Sequence, residues 1–485
     1  MLPTADIDRL RDDLLACGYT LDGLSQRLGA PALAGLGRNS SVAASRALGE
    51  DRDAQAAAVR LWLLQQPVPA TDLADWASLP GLRAAGLVTG DAELQATVEL
   101  KPHGSDRSEG WICSDATPLD GWVGQPREDF VLGASPASTT LSQLVPPGRY
   151  GRALDLGTGC GIQALHLDAA QIVATDLNPR ALELARISLG LSGVPVDLRL
   201  GSLYQPVANE TFDLIATNPP YVMSPPGDAR LVYREGDFTA DGLVRQVVTG
   251  GADRLADNGV LTVLANWAVT SGQSWAERLE DWIRPTGCDA LVLQREVLDP
   301  FEYIEIWLTD AGLAGTPEYL PRYRAWLDYF AAAGIEAVGM GWIALKKSGR
   351  EHPGLRFDDW PHAVHQPVGQ AFGDFFAAVE PFQLTESDFL ANRWQTHPGL
   401  VQETLGDPGA ADPQHVVLRQ QYGFGRAVES DTALAAIVGA CDGELPLGAL
   451  VGAVAGLLDV DADALRDEVI RPLRRLVQDG YLQAG

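Results

Sequence analysis

The stretch Ala153-Leu154-Asp155-Leu156-Gly157-Thr158-Gly159-Cys160-Gly161-Ile162 decides how the middle of this 485-residue chain folds. An apolar run passes into three alternating glycines and then into helix-forming residues from Gln163 to Leu167, which predicts a strand, a tight turn and a helix. Glycine removes the Cβ that would obstruct both the turn and the close approach of a ligand to the backbone. A dinucleotide fingerprint would place Gly or Ala where Ile162 stands, and a bound phosphate would be repelled by Asp155, two residues before the first glycine.

A ligand with a cationic amino group suits Asp155 better, and the methionine end of S-adenosylmethionine carries one. Twenty-one residues after Asp155, the run Ile172-Val173-Ala174-Thr175-Asp176-Leu177-Asn178 predicts a second strand ending in an acid. A carboxylate at that strand end is placed to accept hydrogen bonds from both hydroxyls of a ribose. The competing reading is an acid capping a helix that starts near Pro179. With Asp176 on the ribose, Leu177 would lie by the adenine face, and Gly201-Ser202-Leu203, after the third strand, near the base edge.

The third element is Phe212-Asp213-Leu214-Ile215-Ala216-Thr217-Asn218-Pro219-Pro220-Tyr221-Val222, an apolar strand that runs into two prolines. Prolines fix φ and remove donors, so the loop is stiff. The Asn218 side-chain oxygen and the Pro219 carbonyl are expected to accept the two protons of a planar NH₂ group, with Tyr221 offering a face for stacking. An amide nitrogen has a delocalised lone pair, so attack on a sulfonium methyl needs alignment and withdrawal of electron density through its N–H bonds.

Outward from these three elements, β-rich runs alternate with helical patterns: Arg152–Leu156, Ile172–Thr175, Val196–Leu200, Leu214–Thr217, Gly259–Leu264, Ala290–Arg295 and Val338–Leu345. Alternation of this kind predicts an α/β domain, Rossmann-like, with a mainly parallel seven-stranded sheet over residues 149–348. An amphipathic helix, Tyr319 to Ala333, is inserted before the last strand. Residues 1–100 read as a helical, winged-helix-like domain, and 101–148 as a connector with short strands holding Trp111 and Trp122. Residues 349–428 read as an irregular, aromatic-rich segment, and 429–485 as a second helical, winged-helix-like domain.

Asp155-Leu-Gly-Thr-Gly-Cys-Gly161, Asp176-Leu-Asn-Pro and Asn218-Pro-Pro-Tyr221, in this order and spacing, resemble the class I methyltransferases, and among them the HemK/PrmC family, which methylates the glutamine amide of peptide release factors. The run Arg234 to Leu243 is also similar to that family's segment after the signature, and the likeness covers about residues 125 to 347. It implies S-adenosyl-L-methionine as cofactor, held by Asp155, Gly157, Thr158, Gly159, Gly161, Asp176, Leu177, Ser202 and Asn218. It also implies N-methylation of a protein or peptide amide at Asn218, Pro219, Pro220 and Tyr221. Ser202 departs from the family, which commonly has an acid there, and the family has nothing like the C-terminal hundred residues of this chain. The alternative acceptors are the exocyclic amine of an RNA or DNA base, stacked on Tyr221, and a small natural product.

Composition bears on these acceptors. There are 36 Lys plus Arg against 64 Asp plus Glu, a formal charge of −28, so the average surface repels phosphate backbones and a protein partner is preferred. Arg466, Arg471, Arg474 and Arg475 mark one side of the last helix, but Asp461, Asp463, Asp467, Glu468 and Asp479 offset them. The five cysteines, Cys17, Cys113, Cys160, Cys288 and Cys441, form no C-x-x-C pair, and the histidines lack partners at metal-ligand spacing, so no metal is expected. Acidic residues interrupt the N-terminal stretch where a signal peptide would be basic and then apolar. The most apolar run, Val260 to Val269, is far short of a membrane span, so a cytoplasmic protein without membrane partners is expected. Trp267, just past the fifth strand, is a candidate for the acceptor pocket. Nothing in the sequence sets the oligomeric state.

Overall fold

The computed structural model describes residues 1–104, 109–121, 127–226, 238–408 and 414–485. Trp122 and residues 234–237 of the run after the signature therefore lie outside the described residues. The chain forms two compact units. The first comprises Met1–Ser142, Arg149–Thr286 and Glu296–Ile343, and the second Gln143–Gly148, Gly287–Arg295 and Ala344–Gly485.

In the first unit, Tyr150–Leu156 is a central parallel strand. Ala169–Asp176 lies on one side with Leu156 opposite Thr175, and Phe212–Thr217 on the other with Leu156 opposite Thr217. Asp197–Leu200 continues the sheet beyond Ala169–Asp176, and Leu255–Thr270 continues it beyond Phe212–Thr217 with Val263 opposite Thr217. Ile335–Lys346 follows next to Leu255–Thr270. The apolar residues that predicted these strands form the core: Ala153, Leu154, Leu214, Ile215, Ala216 and Leu261 are all 0% exposed.

The register has a direct consequence for the site. Because Leu156, Thr175 and Thr217 are level across the sheet, the segments beginning at Gly157, Asp176 and Asn218 emerge side by side at one edge. The chain first builds outward on one side of the central strand and then crosses to the other. This makes a switch point between Tyr150–Leu156 and Phe212–Thr217, where open α/β sheets leave a crevice for ligands.

The helix Pro179–Leu191 covers one face of the sheet and carries the amino-terminal region on its outer side. Gly190 permits that contact, since a Cβ there would stand 3.0 Å from Ile7 Cγ2, and Arg11 Nη2 donates to the Gly190 carbonyl at 2.8 Å. The hairpin Glu99–Gly104/Glu109–Ser114 is tied to the same helix, with Cys113 N donating to Ser188 Oγ at 2.9 Å and Trp111 N to Ser192 Oγ at 3.1 Å. The alternating run Leu94 to Leu100 is split: Glu93–Ala96 pairs with Val88–Thr89 and Val68–Pro69, whereas Glu99 onward joins the hairpin.

All seven expected strands form. In the second unit Asp289–Leu298 pairs in parallel with a further strand, Leu355–Asp359, within the segment read as irregular. Much of that segment forms regular elements. The helix Gly369–Gln383 buries Phe372, Phe375, Phe376 and Val379 at i, i+3, i+4 and i+7, and Leu400–Leu405, His415–Gln420 and Ala427–Ser430 form an antiparallel sheet. Arg393–Thr396 is the middle strand between Asp442–Pro446 and Leu482–Ala484, so the terminal module of three helices begins well before residue 429. Phe389, Trp394, Leu447 and Leu473 form its core.

Candidate active site

A cavity of about 500 Å³ opens at the switch point and is lined by the Gly157–Cys160 turn, Asp176 to Asn178, Gly201 to Leu203 and Asn218 to Pro220. The turn bends as its glycines require: Gly157 and Gly159 hold φ of 74° and 55°, and a Cβ on either would project into open space. Gly157 N and Thr158 N both donate to the Thr175 carbonyl at 2.9 Å, which fixes the turn against the neighbouring strand end.

Asp176 bridges two of these segments. Its Oδ2 accepts from Gly159 N at 2.9 Å and its Oδ1 from Asn178 N at 2.8 Å. Burial raises its carboxyl above the ordinary range, against the lowering effect of these backbone donors. The helix Pro179–Leu191 is capped not by Asp176 but by Asn178, whose Oδ1 accepts from Arg180 N at 2.9 Å. Asp176 lines the cavity beside Leu177, which is 60% exposed. Ser202 also lines the cavity.

Asp155 sits differently from the sequence expectation. It is 1% exposed and is not among the lining residues; its Oδ2 accepts from Thr158 Oγ1 at 2.6 Å and from Ala164 N at 3.0 Å, behind the turn. Burial pushes its carboxyl up to about 7, and the nearby Asp176 adds to the rise, whereas Thr158 and Ala164 oppose it.

Asn218, Pro219 and Pro220 reach the cavity, and the Oδ1 of Asn218 is buried without a hydrogen-bond partner among the described residues. Such an atom costs free energy unless a donor arrives. Tyr221 does not line the cavity. Its ring packs edge-on to Trp307 with centroids 6.4 Å apart, beside a cluster that includes Val222, Met223 and Tyr303, and burial raises its phenol. Trp267 is also absent from the lining: it is 0% exposed and stacks on Trp275 at 5.5 Å. Tyr303 holds the loop after the signature, accepting from Met223 N and from Asn266 Nδ2, each at 2.9 Å.

One whole wall, Glu128, Phe130 to Gly133, Ser135 and Ser138, together with Gln163 and Phe238, is made of residues that no sequence motif marks. The available signal was the apolar run Phe130-Val131-Leu132 shortly before the first strand. Phe130 and Phe238 supply the aromatic surface that Tyr221 does not.

The remaining residues singled out from the sequence lie elsewhere. Arg466 pairs with Asp463, Asp467 and Glu386, and Arg475 with Asp479. Arg474 donates to the Phe382 carbonyl and lies over Phe389, so three of the four arginines are engaged within the protein. All five cysteines are free, and no group of three metal-ligating side chains occurs among the described residues. No helix among them is long and apolar enough to cross a membrane.

The cavity fits S-adenosylmethionine: a glycine cradle, a carboxylate at the second strand end, an exposed leucine beside it and, at the fourth, a buried acceptor without a partner among the described residues. Comparison with known proteins agrees. The methyltransferase small domain family matches residues 134–282, and two families described as domains of unknown function match 16–99 and 374–484. A release factor glutamine methyltransferase of Deinococcus radiodurans is 48% identical over 115 residues, 23% of this chain and 38% of that protein. The corresponding enzyme of Bordetella pertussis is 33% identical over 225 residues, 43% of this chain and 76% of that protein. The ribosomal RNA small subunit methyltransferase C of Salmonella arizonae is 25% identical over 201 residues, 40% of this chain and 53% of that protein. Alignment is partial for many relatives: the chain spans 26%, 38% and 47% of the length of three of them.

Fold, cavity and matched region together define a class I methyltransferase domain. Within that class, the chain belongs to the release factor glutamine methyltransferase family, the HemK/PrmC family of the sequence resemblance.

Proposed function

We propose that this chain is an S-adenosylmethionine-dependent methyltransferase acting on the side-chain amide nitrogen of a glutamine in a protein. The observation that carries the reading is the Oδ1 of Asn218, buried without a partner among the described residues, on a residue that lines the same cavity as the glycine turn and Asp176. Asp176 would hold the ribose, Leu177 and the Gly201–Leu203 turn the adenine, and the glycine turn the amino-acid arm. The cofactor supplies an electrophilic methyl on a sulfonium. Asn218 Oδ1 and the Pro219 carbonyl would accept the two N–H bonds of the amide, which turns its lone pair toward that methyl and raises electron density on nitrogen. As the C–N bond forms the C–S bond breaks, and the extra proton on nitrogen then passes to water. No strong base is needed beforehand, and the carboxylates lining the cavity are Glu128 and Asp176 alone among the described residues.

A protein acceptor is supported by family membership, by the charge of −28 and by the internal pairing of the last helix's arginines. Incubating a cell extract with protein and methyl-labelled cofactor tests this. Label that survives nuclease and is released by protease is expected, and label released by nuclease would refute the protein acceptor.

A further inference from the structure

Asp155, the candidate from sequence for the α-amino group of the amino-acid arm, does not line the cavity: its Oδ2 accepts from Thr158 and Ala164 behind the turn, and its Oδ1, although buried without a partner among the described residues, belongs to a side chain outside the lining. Gln163 stands at the cavity wall immediately after the glycines. It is 4% exposed, lines the cavity together with Gly157, Thr158, Gly159 and Ser135, and its Nε2 donates to the Ser138 carbonyl at 2.7 Å. That bond engages the nitrogen end of the amide. Its Oε1 is buried and has no partner among the described residues, so a residue of the cavity lining carries an acceptor with nothing to accept from.

Resting on the proposed cofactor, we infer that Gln163 Oε1 is the acceptor for the α-ammonium of the methionine arm. An ammonium brings three donors, and a hydrogen bond from a charged donor to a buried neutral oxygen is stronger than one between neutral groups. The same side chain ties the arm's position to Ser138, and hence to the wall that no sequence motif marks, so that Gln163 links the glycine turn to the segment facing it.

Titration calorimetry with two ligands separates this role from a merely structural one. S-adenosylhomocysteine carries the arm, and 5′-methylthioadenosine shares the nucleoside and thioether but lacks the amino and carboxyl groups. Gln163→Met is expected to weaken S-adenosylhomocysteine about tenfold, as loss of one charge-assisted hydrogen bond implies, and to leave methylthioadenosine unchanged. Gln163→Glu keeps an acceptor at this position and is expected to retain the preference for the arm-bearing ligand, which tests the assignment even if the methionine variant does not fold. Equal weakening of both ligands, or no change in either, would overturn the assignment. So would an arm-specific loss in Asp155→Asn with none in Gln163→Met. Failure of the unsubstituted protein to bind S-adenosylhomocysteine would instead refute the cofactor reading itself.

Discussion

Replacing Asn218 by alanine should push activity and stability in opposite directions. In the free protein, Asn218 Oδ1 is buried and has no hydrogen-bond partner among the described residues. An unsatisfied buried acceptor of this kind costs roughly 1–3 kcal/mol, so its removal, offset by a small cavity, should raise the stability of the catalytic unit by about 1 kcal/mol. In the transition state the same atom would accept an N–H whose nitrogen is gaining positive charge. Loss of one preorganised group facing a developing charge lowers turnover by about 10²–10³-fold. Binding of S-adenosylhomocysteine should change less than about threefold, because Asp176, Leu177 and the glycine turn remain in place. The assays are steady-state transfer with labelled cofactor, calorimetric binding and chemical denaturation of the same preparations. A variant that loses turnover, cofactor binding and stability together would refute the reasoning, because Asn218 would then be a structural residue.

Three further outcomes follow from the same geometry. Asp176→Ala should weaken S-adenosylhomocysteine by at least about tenfold in calorimetry, through loss of the ribose contact and of the acceptor for Gly159 N and Asn178 N, while turnover at saturating cofactor falls less. Tyr303→Phe removes the oxygen that accepts from Met223 N and Asn266 Nδ2, and should cost about 2 kcal/mol in denaturation while reducing turnover more than cofactor affinity. Asp155 loses its proton near the ordinary value of 3.8 when unfolded and at about 7 when folded. Between those values the folded state holds a proton the unfolded state has lost, so stability falls as pH rises from about 4 to 7 and levels off above. Asp155→Asn lacks this loss, and its stability advantage over the natural protein should grow by on the order of 2–3 kcal/mol from pH 5 to pH 8 in denaturant titrations.

The parts of the site that the sequence made legible are those where chemistry dictates residue type at a strand end. Gly157, Asp176 and Asn218 each stand at the end of a mainly apolar strand, with Gly159 two residues further on, and parallel register brings such ends together whatever the loops do. Orientation was less legible. Nothing local to Tyr221 says that Trp307, far along the chain, will take its ring, and nothing local to Asp155 says that Thr158 and Ala164 will fold back onto it. The wall from Glu128 to Ser138 has no periodicity of its own, because its residues face the cavity by packing and not by belonging to a strand or a long helix. The helix Gly369–Gln383 was not read from the sequence: its phenylalanines recur at helical spacing, but Gly369, Gly373 and Pro381 obscured the pattern.

The central claim is that the chain methylates an amide nitrogen on a protein, and one measurement addresses it most directly. A protein labelled in an extract by this enzyme and cofactor, digested and fragmented in a mass spectrometer, should carry one added methyl on the side-chain nitrogen of a glutamine, and the Asn218→Ala variant should leave that residue unmodified. A methyl found instead on a nucleobase, on a small molecule or on a carboxyl oxygen would contradict the account.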